Sequence, residues 1–506
     1  MKKISVIVIV LISIQYLNAQ DFQEAFLLSQ NYNLGTARSA AMGNAFGALG
    51  GDFSSIGTNP GGIGVYRSSE FSFGGYFSSV AANANYLGTP TSNFQYNSNL
   101  NNVNYVSTYK TGLNEGWVSV SFGLGYNKVN DFNNVLSING TTVMHQGGAP
   151  NASMSDYFAE LGNLPIGSEL SNSAHTGEQT NWNQNNPSTL DPYFEGLALA
   201  AHVINYDSAQ GNYISSVPNT PITKNLTQTN TGSTGDWSFS VGGNYSNKLF
   251  IGASFSFMSL NYRRVMNYTE NFTPQNGYNS FNFLMNNAIS GTGFNFKVGA
   301  IFKPVEFIRV GLAFHSPTFY SINENLSTSI TTNDSGTWVP GNNGYPLSSA
   351  QNNYSFSTPM KTVGSVALTV KNIGIISFDC DMLDYTNMKF SNGADASEIS
   401  SRMRTTFNFR LGAEVKLGSI YLRAGGALYQ SPYKSTAVIG STNGQAYSMS
   451  CGVGYRTSRF FVDFALVQFV QQEKYYMWDD VNYDKASFST NTYTTNRGTV
   501  TVGFRF

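Results

Sequence analysis

Apolar and polar residues alternate along most of this chain with a spacing of two. From Val118 to Tyr126 every second residue is apolar, and the residues between them are Ser or Gly. The same pattern runs from Phe407 to Leu417 and from Val500 to Phe506. Strands that are buried on both faces carry continuous apolar runs instead. One greasy face beside one small or polar face is typical of the wall of a membrane β-barrel.

The pattern predicts fourteen strands, an even number as in single-chain bacterial barrels. Their ranges are 70–83, 103–112, 116–130, 236–246, 248–268, 291–303, 306–330, 351–371, 373–390, 403–417, 419–430, 445–456, 459–472 and 494–506. Short connections alternate with long ones along the whole series. The long ones are 84–102, 131–235, 269–290, 331–350, 391–402, 431–444 and 473–493. This asymmetry predicts periplasmic turns at one end of an antiparallel barrel and extracellular loops at the other.

Composition supports the barrel and excludes other classes. Charged residues make up 11% of the 506 residues, whereas soluble domains carry about 25%. The net charge is −1 and no basic run is present, so a nucleic-acid partner is not expected. Length alone would allow about three soluble domains. The alternation favours one closed structure that is apolar outside and sparsely charged inside.

The first nineteen residues have the layout of a secretory signal peptide. Lys2 and Lys3 precede an apolar run from Ile4 to Ile14, and Ala19 ends a small-residue cleavage site. The alternative is an N-terminal membrane anchor, for which the apolar run is too short. We therefore expect residues 1–19 to be removed and the protein to reside in the bacterial outer membrane.

The segment before the first strand is rich in small residues and lacks the greasy alternation, so it is suited to packing inside a lumen. Its stretches 35–45, 52–56 and 59–63 resemble the N-terminal hatch of FadL-type outer-membrane transporters of long-chain fatty acids and other hydrophobic compounds. The hatch of that family ends in an Asn-Pro-Ala motif. Asn59 and Pro60 match the motif here, and Gly61 replaces its alanine. The resemblance implies a hatch over 20–69, followed by a barrel over 70–506.

The resemblance also implies passive uptake of a hydrophobic small molecule. The ligand would land on the extracellular loops, enter a lumen pocket and leave when the hatch moves. In that family a kink in strand 3 opens a lateral exit through the wall. Gly123 and Gly125 lie on the inward register of this strand and are candidates for such a kink, because glycine weakens a strand. The alternative is that glycine is common throughout the barrel and these two have no special role.

The 131–235 connection is too long to be a plain extracellular loop, and it contains two predicted helices. The first begins at Ser153, which forms a capping-box pattern with Asp156. The second has Pro192 in its first turn and carries Phe194 and Leu197. These helices could offer ligands a greasy docking surface at the mouth of the barrel. Alternatively, they only pack on each other.

Ionisable residues collect on the inward register of the strands. They are Lys297, Arg309, His315, Asp379, Asp381, Arg410, Glu414, Arg423, Asp463 and Arg505. Both signs are interleaved, which predicts a salt-bridge network inside the wall. The sharper hypothesis is that Arg410 and Arg423 bind a ligand carboxylate, because the planar fork of arginine suits a carboxylate. Cys380 and Cys451 lie on the outward register and predict no disulfide.

Enzyme chemistry is not indicated, and we expect no cofactor or metal. None of the four histidines belongs to a metal-spaced pair, and a serine hydrolase elbow is absent. A barrel hydrolase assembled across strands is a weaker alternative. The main alternative function is a FadL-like scaffold or shuttle component in protein secretion, with secretion-system components as partners. A porin for polar solutes is a third option. Outer-membrane lipid and the barrel-assembly machinery, recognising the C-terminal Phe506, are further expected partners.

Overall fold

The computed structural model describes residues 22–32, 34–142, 153–163, 190–275, 277–333, 336–338, 349–370, 373–391, 396–435, 443–477 and 488–506. The predicted signal peptide lies outside these residues. So do two of the four histidines, His145 and His175, and Asn372, the residue between the strands predicted over 351–371 and 373–390.

The strands form one closed antiparallel barrel of fourteen strands, which confirms the predicted fold class. The last strand pairs with the first, from Arg505 opposite Glu70 to Thr490 opposite Asn85, and this pairing closes the barrel. Four of the fourteen are interrupted: β3 with β4, β10 with β11, β13 with β14, and β15 with β16. The strand bounds are β1 Glu70–Tyr86, β2 Thr89–Lys110, β3 Trp117–Asp131, β4 Asn134–Thr141, β5 Ile204–Asp207, β6 Asn212–Ser215, β7 Thr223–Tyr245, β8 Leu249–Gln275, β9 Tyr278–Val305, β10 Ile308–His315, β11 Phe319–Thr332, β12 Gly336–Trp338, β13 Ala350–Ser357, β14 Lys361–Val370, β15 Gly374–Asp384, β16 Lys389–Phe390, β17 Thr405–Leu417, β18 Ile420–Tyr429, β19 Ala446–Arg456, β20 Phe460–Tyr476 and β21 Phe488–Arg505.

The apolar face of the barrel strands points outward. Phe122, Leu312 and Leu411 are each more than half exposed, whereas Ser121 and Ala313 beside them are buried. Cys380 and Cys451 are free cysteines and belong to the outward register. A wall with this polarity is suited to lipid outside and to a packed or polar lumen inside.

Two predicted loops are instead continuations of strands. The connection expected over 84–102 is a turn at Leu87-Gly88, and the one expected over 269–290 turns near Gly277. The extended parts carry mostly Asn, Ser and Thr, so they lack the greasy alternation by which strands were recognised. Their backbones still pair, because hydrogen bonding between strands does not depend on lipid contact. The short turns at the other end agree with the prediction, for example at Ser246–Lys248 between β7 and β8.

The residues before β1 fold inside the barrel as the hatch, defined here as residues 22–66. Its elements are helix α1 (Phe22–Ser29), helix α2 (Ala37–Ala41) and two 3₁₀ helices (Phe53–Gly57 and Pro60–Val65). The hatch approaches the wall where the wall residue is glycine, because an added Cβ there would collide with it. These positions are Gly123, Gly125, Gly242, Gly252, Gly299, Gly311, Gly412, Gly425 and Gly452. The many inward glycines of the barrel therefore make room for the hatch.

Between β4 and β7, residues 153–163 and 190–222 form a cap over the loop end of the barrel. The cap contains α3 (Met154–Asn163), α4 (Glu195–Ala200) and the β5–β6 hairpin. Glu270 of β8 holds the start of α3, accepting hydrogen bonds from Ser153 Oγ at 2.5 Å and Met154 N at 2.8 Å. The predicted capping pair is also present, since Asp156 accepts from Ser153 N at 3.1 Å.

The described residues also contain a 3₁₀ turn at Tyr385–Asn387 and helix α5 at Ala396–Arg402. In the part of the chain that the structure describes, no helix is both long enough and apolar enough to span a membrane.

Candidate functional site: the hatch and the lumen cavity

Asn59 joins the hatch to the wall. It caps the 3₁₀ helix Pro60–Val65, and its Oδ1 accepts from Gly61 N at 2.9 Å. Its Nδ2 donates to Gly47 O at 2.7 Å within the hatch and to Ala300 O at 3.0 Å on β9. The position of Gly61 also requires a small residue, because an added Cβ would lie 3.0 Å from Ala300 Cα. The Asn-Pro-Gly motif is therefore a docking point between hatch and wall.

A buried ionic network occupies the lumen near the short-turn end. Arg423 donates to Glu414 and to Asp463, at 2.7 Å in each case. Arg38 of the hatch binds the same Glu414, and Arg456 binds the same Asp463. The network therefore ties the hatch to β17, β18, β19 and β20.

Arg410 has its own carboxylate partner on the neighbouring strand. Its two terminal nitrogens donate to Asp381 at 2.7 and 2.6 Å. Arg410 lies opposite Ala427 and Arg423 opposite Glu414, so the two arginines do not face each other across β17 and β18. Neither lines the cavity between hatch, cap and wall that is described below, nor a smaller one beside Lys297 and His315. Their binding of a ligand carboxylate stays a prediction.

Gly123 and Gly125 contact the hatch, and strand β3 is not broken at either residue. The register of β3 runs without interruption past both glycines against β2 and against β7. An added Cβ at Gly123 would lie 2.7 Å from Ile63 Cδ1, and one at Gly125 would lie 2.5 Å from Phe53 Cε1. Opening of the wall at these two glycines stays a prediction.

A seam in the wall lies a few residues further along β3. Pairing of β2 with β3 ends at Asn102 opposite Asn127, and the pairing of β3 with β7 is irregular between Lys128 and Asn130. The hatch covers the edge left here: Tyr32 N donates to Val129 O at 3.1 Å and Leu34 N to Lys128 O at 3.2 Å. Backbone groups of this edge are therefore satisfied by the hatch rather than by the next strand.

A cavity of about 420 Å³ lies between the hatch, the cap and the wall. This volume is within the range of roughly 300–1,000 Å³ for small-molecule sites. Its apolar part is lined by Phe158 and Phe194 of the cap and by Met266, Phe283 and Met285 of the wall. Leu34 and Asn130 beside the seam also line it. The cavity therefore reaches from the cap to the covered edge of β3.

Phe194 and Leu197, the two cap residues predicted to contact a ligand, lie in different surroundings. Phe194 faces the cavity, and its ring centre lies 6.2 Å from that of Phe283. Leu197 is 1% exposed and packs within the apolar cluster under the cap. Helix α4 begins at Glu195, so Pro192 precedes it and the predicted start was early. The cap therefore both packs on itself and contributes a wall to the cavity.

Three polar residues of this cavity were not predicted from the sequence. Arg264 of β8, Asn287 of β9 and Glu324 of β11 line it together. Arg264 lies opposite Asn287, and Asn287 Nδ2 donates to Glu324 Oε1 at 2.7 Å. The alternation of β8 placed Arg264 on the inward register, so this residue could have been found. The other two lie in stretches predicted to be a loop or a late part of a strand. We refer to the three as the polar row.

The described residues include no group of three or more His, Cys, Asp or Glu side chains arranged to hold a metal ion. His315 is buried against the hatch, with its Nε2 3.0 Å from Thr58 O.

Solved structures with similar folds are known. The chain is similar to a Pseudomonas aeruginosa FadL homologue at 12% identity, with 93% of this chain and 98% of that chain covered and a TM-score of 0.54. It is similar to the P. putida toluene transporter TodX at 10% identity, covering 94% and 99% with a TM-score of 0.53. The Ralstonia pickettii toluene transporter TbuX has 12% identity, with 95% and 100% covered and a TM-score of 0.50.

No family model matches the chain, and no curated protein matches it significantly. At these identities the similarity establishes the fold. The chain has the fold of these structures, a fourteen-stranded barrel, and its N-terminal residues pack inside that barrel. The fold resemblance expected from the hatch residues is thereby confirmed across more than nine-tenths of the chain.

Proposed function

We propose that this protein is an outer-membrane channel that takes up hydrophobic small molecules, such as long-chain fatty acids, without an energy source of its own. The observation that carries the proposal is the partly apolar cavity enclosed by cap, hatch and wall. The outward apolar face supports a membrane location. Export would depend on the predicted signal peptide 1–19, with 20–69 as the hatch and 70–506 as the barrel.

The similar structures support a hydrophobic ligand. TodX and TbuX are described as toluene transporters, and the third is a FadL homologue. In this chain Phe158, Phe194 and Phe283 provide an aromatic surface at the cap end of the cavity. A ligand arriving from the extracellular loops would exchange water for this surface, which is favourable by about 25 cal/mol per Å² of apolar area buried.

The seam beside β3 is the proposed exit. A hatch segment at Tyr32 and Leu34 closes it with two backbone hydrogen bonds, each worth only about 1 kcal/mol net. Movement of this short segment would open the cavity sideways at Lys128–Asn130, without disturbing the ionic network at Arg38. Release through the wall would let an apolar solute enter the membrane and avoid water.

The ionic network supports the alternative of a secretion scaffold in one respect. It places charged pairs such as Arg423–Asp463 in the lumen near the short-turn end, and charged pairs in the lumen are what a scaffold would have. The cavity above the network favours transport, because a scaffold has no need of it.

A disulfide across the seam tests the proposal. The variant Tyr32→Cys/Val129→Cys, in a Cys380→Ser/Cys451→Ser background, should lose uptake of radiolabelled decanoate and toluene when oxidised and regain it on reduction. The background without the two new cysteines is the control for the redox treatment. Thiol titration establishes that the bond has formed. Undiminished uptake by the fully oxidised variant would rule out the seam, and absence of uptake by the background itself would rule out the channel.

A further inference from the structure

The polar row contains two hydrogen-bond acceptors without a partner. Glu324 is 4% exposed; its Oε1 accepts from Asn287, but the described residues offer no hydrogen-bond donor to its Oε2. Asn287 Oδ1 also has none. Leaving a buried polar group unsatisfied costs about 1–3 kcal/mol, more if it is charged. Two such atoms beside each other at a cavity indicate a place prepared for a donor from outside the chain.

Arg264 provides donors in the same row. Its Nε donates to Tyr262 Oη at 2.9 Å, and its guanidinium lies 5.7 Å from the centre of the Tyr262 ring. Within the described part of the chain no carboxylate lies within 4.0 Å of it, unlike Arg410 and Arg423. Its two terminal nitrogens therefore remain available to an acceptor in the cavity.

The apolar part of the cavity continues from the polar row along the same strands. Met266 follows Arg264 by two residues on β8, and it lies opposite Met285 of β9. Phe283 lies two residues beyond Met285 and contacts Phe158 and Phe194 of the cap. A chain-like ligand would thus have its head at the polar row and its tail under the cap.

We infer that this cavity, if the protein is the proposed channel, selects amphiphiles whose head group presents N–H donors beside a carbonyl oxygen, as a primary amide does. The carbonyl oxygen accepts from Arg264. The two N–H groups donate to Glu324 Oε2 and Asn287 Oδ1, which satisfies both orphan acceptors. A carboxylate of the same chain length can bind Arg264 but has no hydrogen to donate, and it meets the charge of Glu324. Sites built to hydrogen-bond a head group discriminate against analogues that leave their polar groups unpaired.

The test is calorimetric binding of decanamide, decanoate and toluene to the purified full-length protein in detergent. We expect decanamide to bind at least tenfold tighter than decanoate. Glu324→Gln should weaken the binding of decanamide and strengthen the binding of decanoate, because the new amide can offer a donor in place of an acceptor. The preference for decanamide should therefore disappear or reverse.

Glu473→Gln is the matched control. Glu473 also lines the cavity, but its Oε2 already accepts from Tyr493 Oη at 2.8 Å and Asn491 Nδ2 at 3.2 Å. This variant should keep the preference of the parent protein for decanamide over decanoate. Equal or tighter binding of decanoate by the parent would overturn the inference while leaving the channel intact. A preference that survives Glu324→Gln would also overturn it. Failure of all three ligands to bind would instead count against the proposed function.

Discussion

Arg38 of the hatch binds Glu414 of β17 through two hydrogen bonds of 3.0 Å, one from Nε and one from a terminal nitrogen. Glu414 also accepts from Arg423 of the adjacent strand. One wall carboxylate is thus shared between a cation of the wall and a cation of the hatch. The pair Arg38–Glu414 is therefore a latch that joins two parts of the chain far apart in sequence.

Breaking this latch should loosen the hatch without unfolding the barrel. Removing one partner of a buried ion pair costs about 3–5 kcal/mol, and we expect the lower end for Arg38→Gln because Glu414 keeps Arg423. Hydrogen exchange of residues 37–41 should speed up by at least tenfold, while that of β17 stays slow. Arg67→Gln, at an exposed arginine where the hatch meets β1, is the control. Equal exchange in both variants would show that the latch does not hold the hatch.

Glycines 123 and 125 should be needed for uptake. Replacing both with Val is expected to slow uptake of a hydrophobic solute, because the β-branched side chains stiffen β3 and collide with Phe53 and Ile63. Gly364→Val is the matched control, since no atom lies within 4 Å of an added Cβ there. Unchanged uptake by a folded double variant would contradict the prediction. If Phe53→Ala restored uptake, hatch packing rather than a strand kink would be the cause.

The cap should become less stable as the pH rises. Burial raises the pKa of Asp191 to about 7, and burial together with Asp191 raises the pKa of Glu195 well above its ordinary value. The folded cap thus keeps a proton that the unfolded chain loses near pH 4, so its stability is complete at low pH and falls as the pH rises from about 4 to about 7.

Hydrogen exchange of the backbone amides of residues 195–200, corrected for the pH dependence of the intrinsic exchange rate, should therefore accelerate between pH 5 and pH 8. Asp191→Asn should reduce this acceleration, whereas Asp207→Asn in the β5–β6 hairpin should leave it unchanged. A parent protein whose corrected exchange is constant over this range would contradict the prediction.

Two truncations in the cap should separate ligand contact from packing. Phe194→Ala should weaken binding of a hydrophobic ligand with little loss of stability, because Phe194 is partly exposed to the cavity. Leu197→Ala should destabilise the cap by about 2–5 kcal/mol, because it leaves a void in a packed cluster. Ligand titration and local hydrogen exchange distinguish the two effects. Identical behaviour of the two variants would mean that the cap has one role only.

Local sequence was sufficient to predict a residue's environment where that environment depends only on the strand that carries the residue. Phe122 and Leu411 alternate with small residues, and a strand has only two faces, so the pattern determined which face meets lipid. Asn59 and Pro60 could likewise be recognised, because a capped turn is built from neighbours. The predicted loop over 84–102 was wrong, since Asn and Ser on both faces of a strand leave no alternation to detect.

Only the tertiary structure decided which residues meet across the lumen. Arg38 and Glu414 are 376 residues apart, and the partner of Arg423 depends on strand register and on the position of the hatch. The sequence left open whether Arg410 joins a salt-bridge network or binds a ligand; the structure pairs it with Asp381, whereas Arg264 lines the cavity. The physical reason is that alternation specifies whether a side chain points into the lumen. What satisfies its charge there is set by strands distant in sequence and by the chain packed between them.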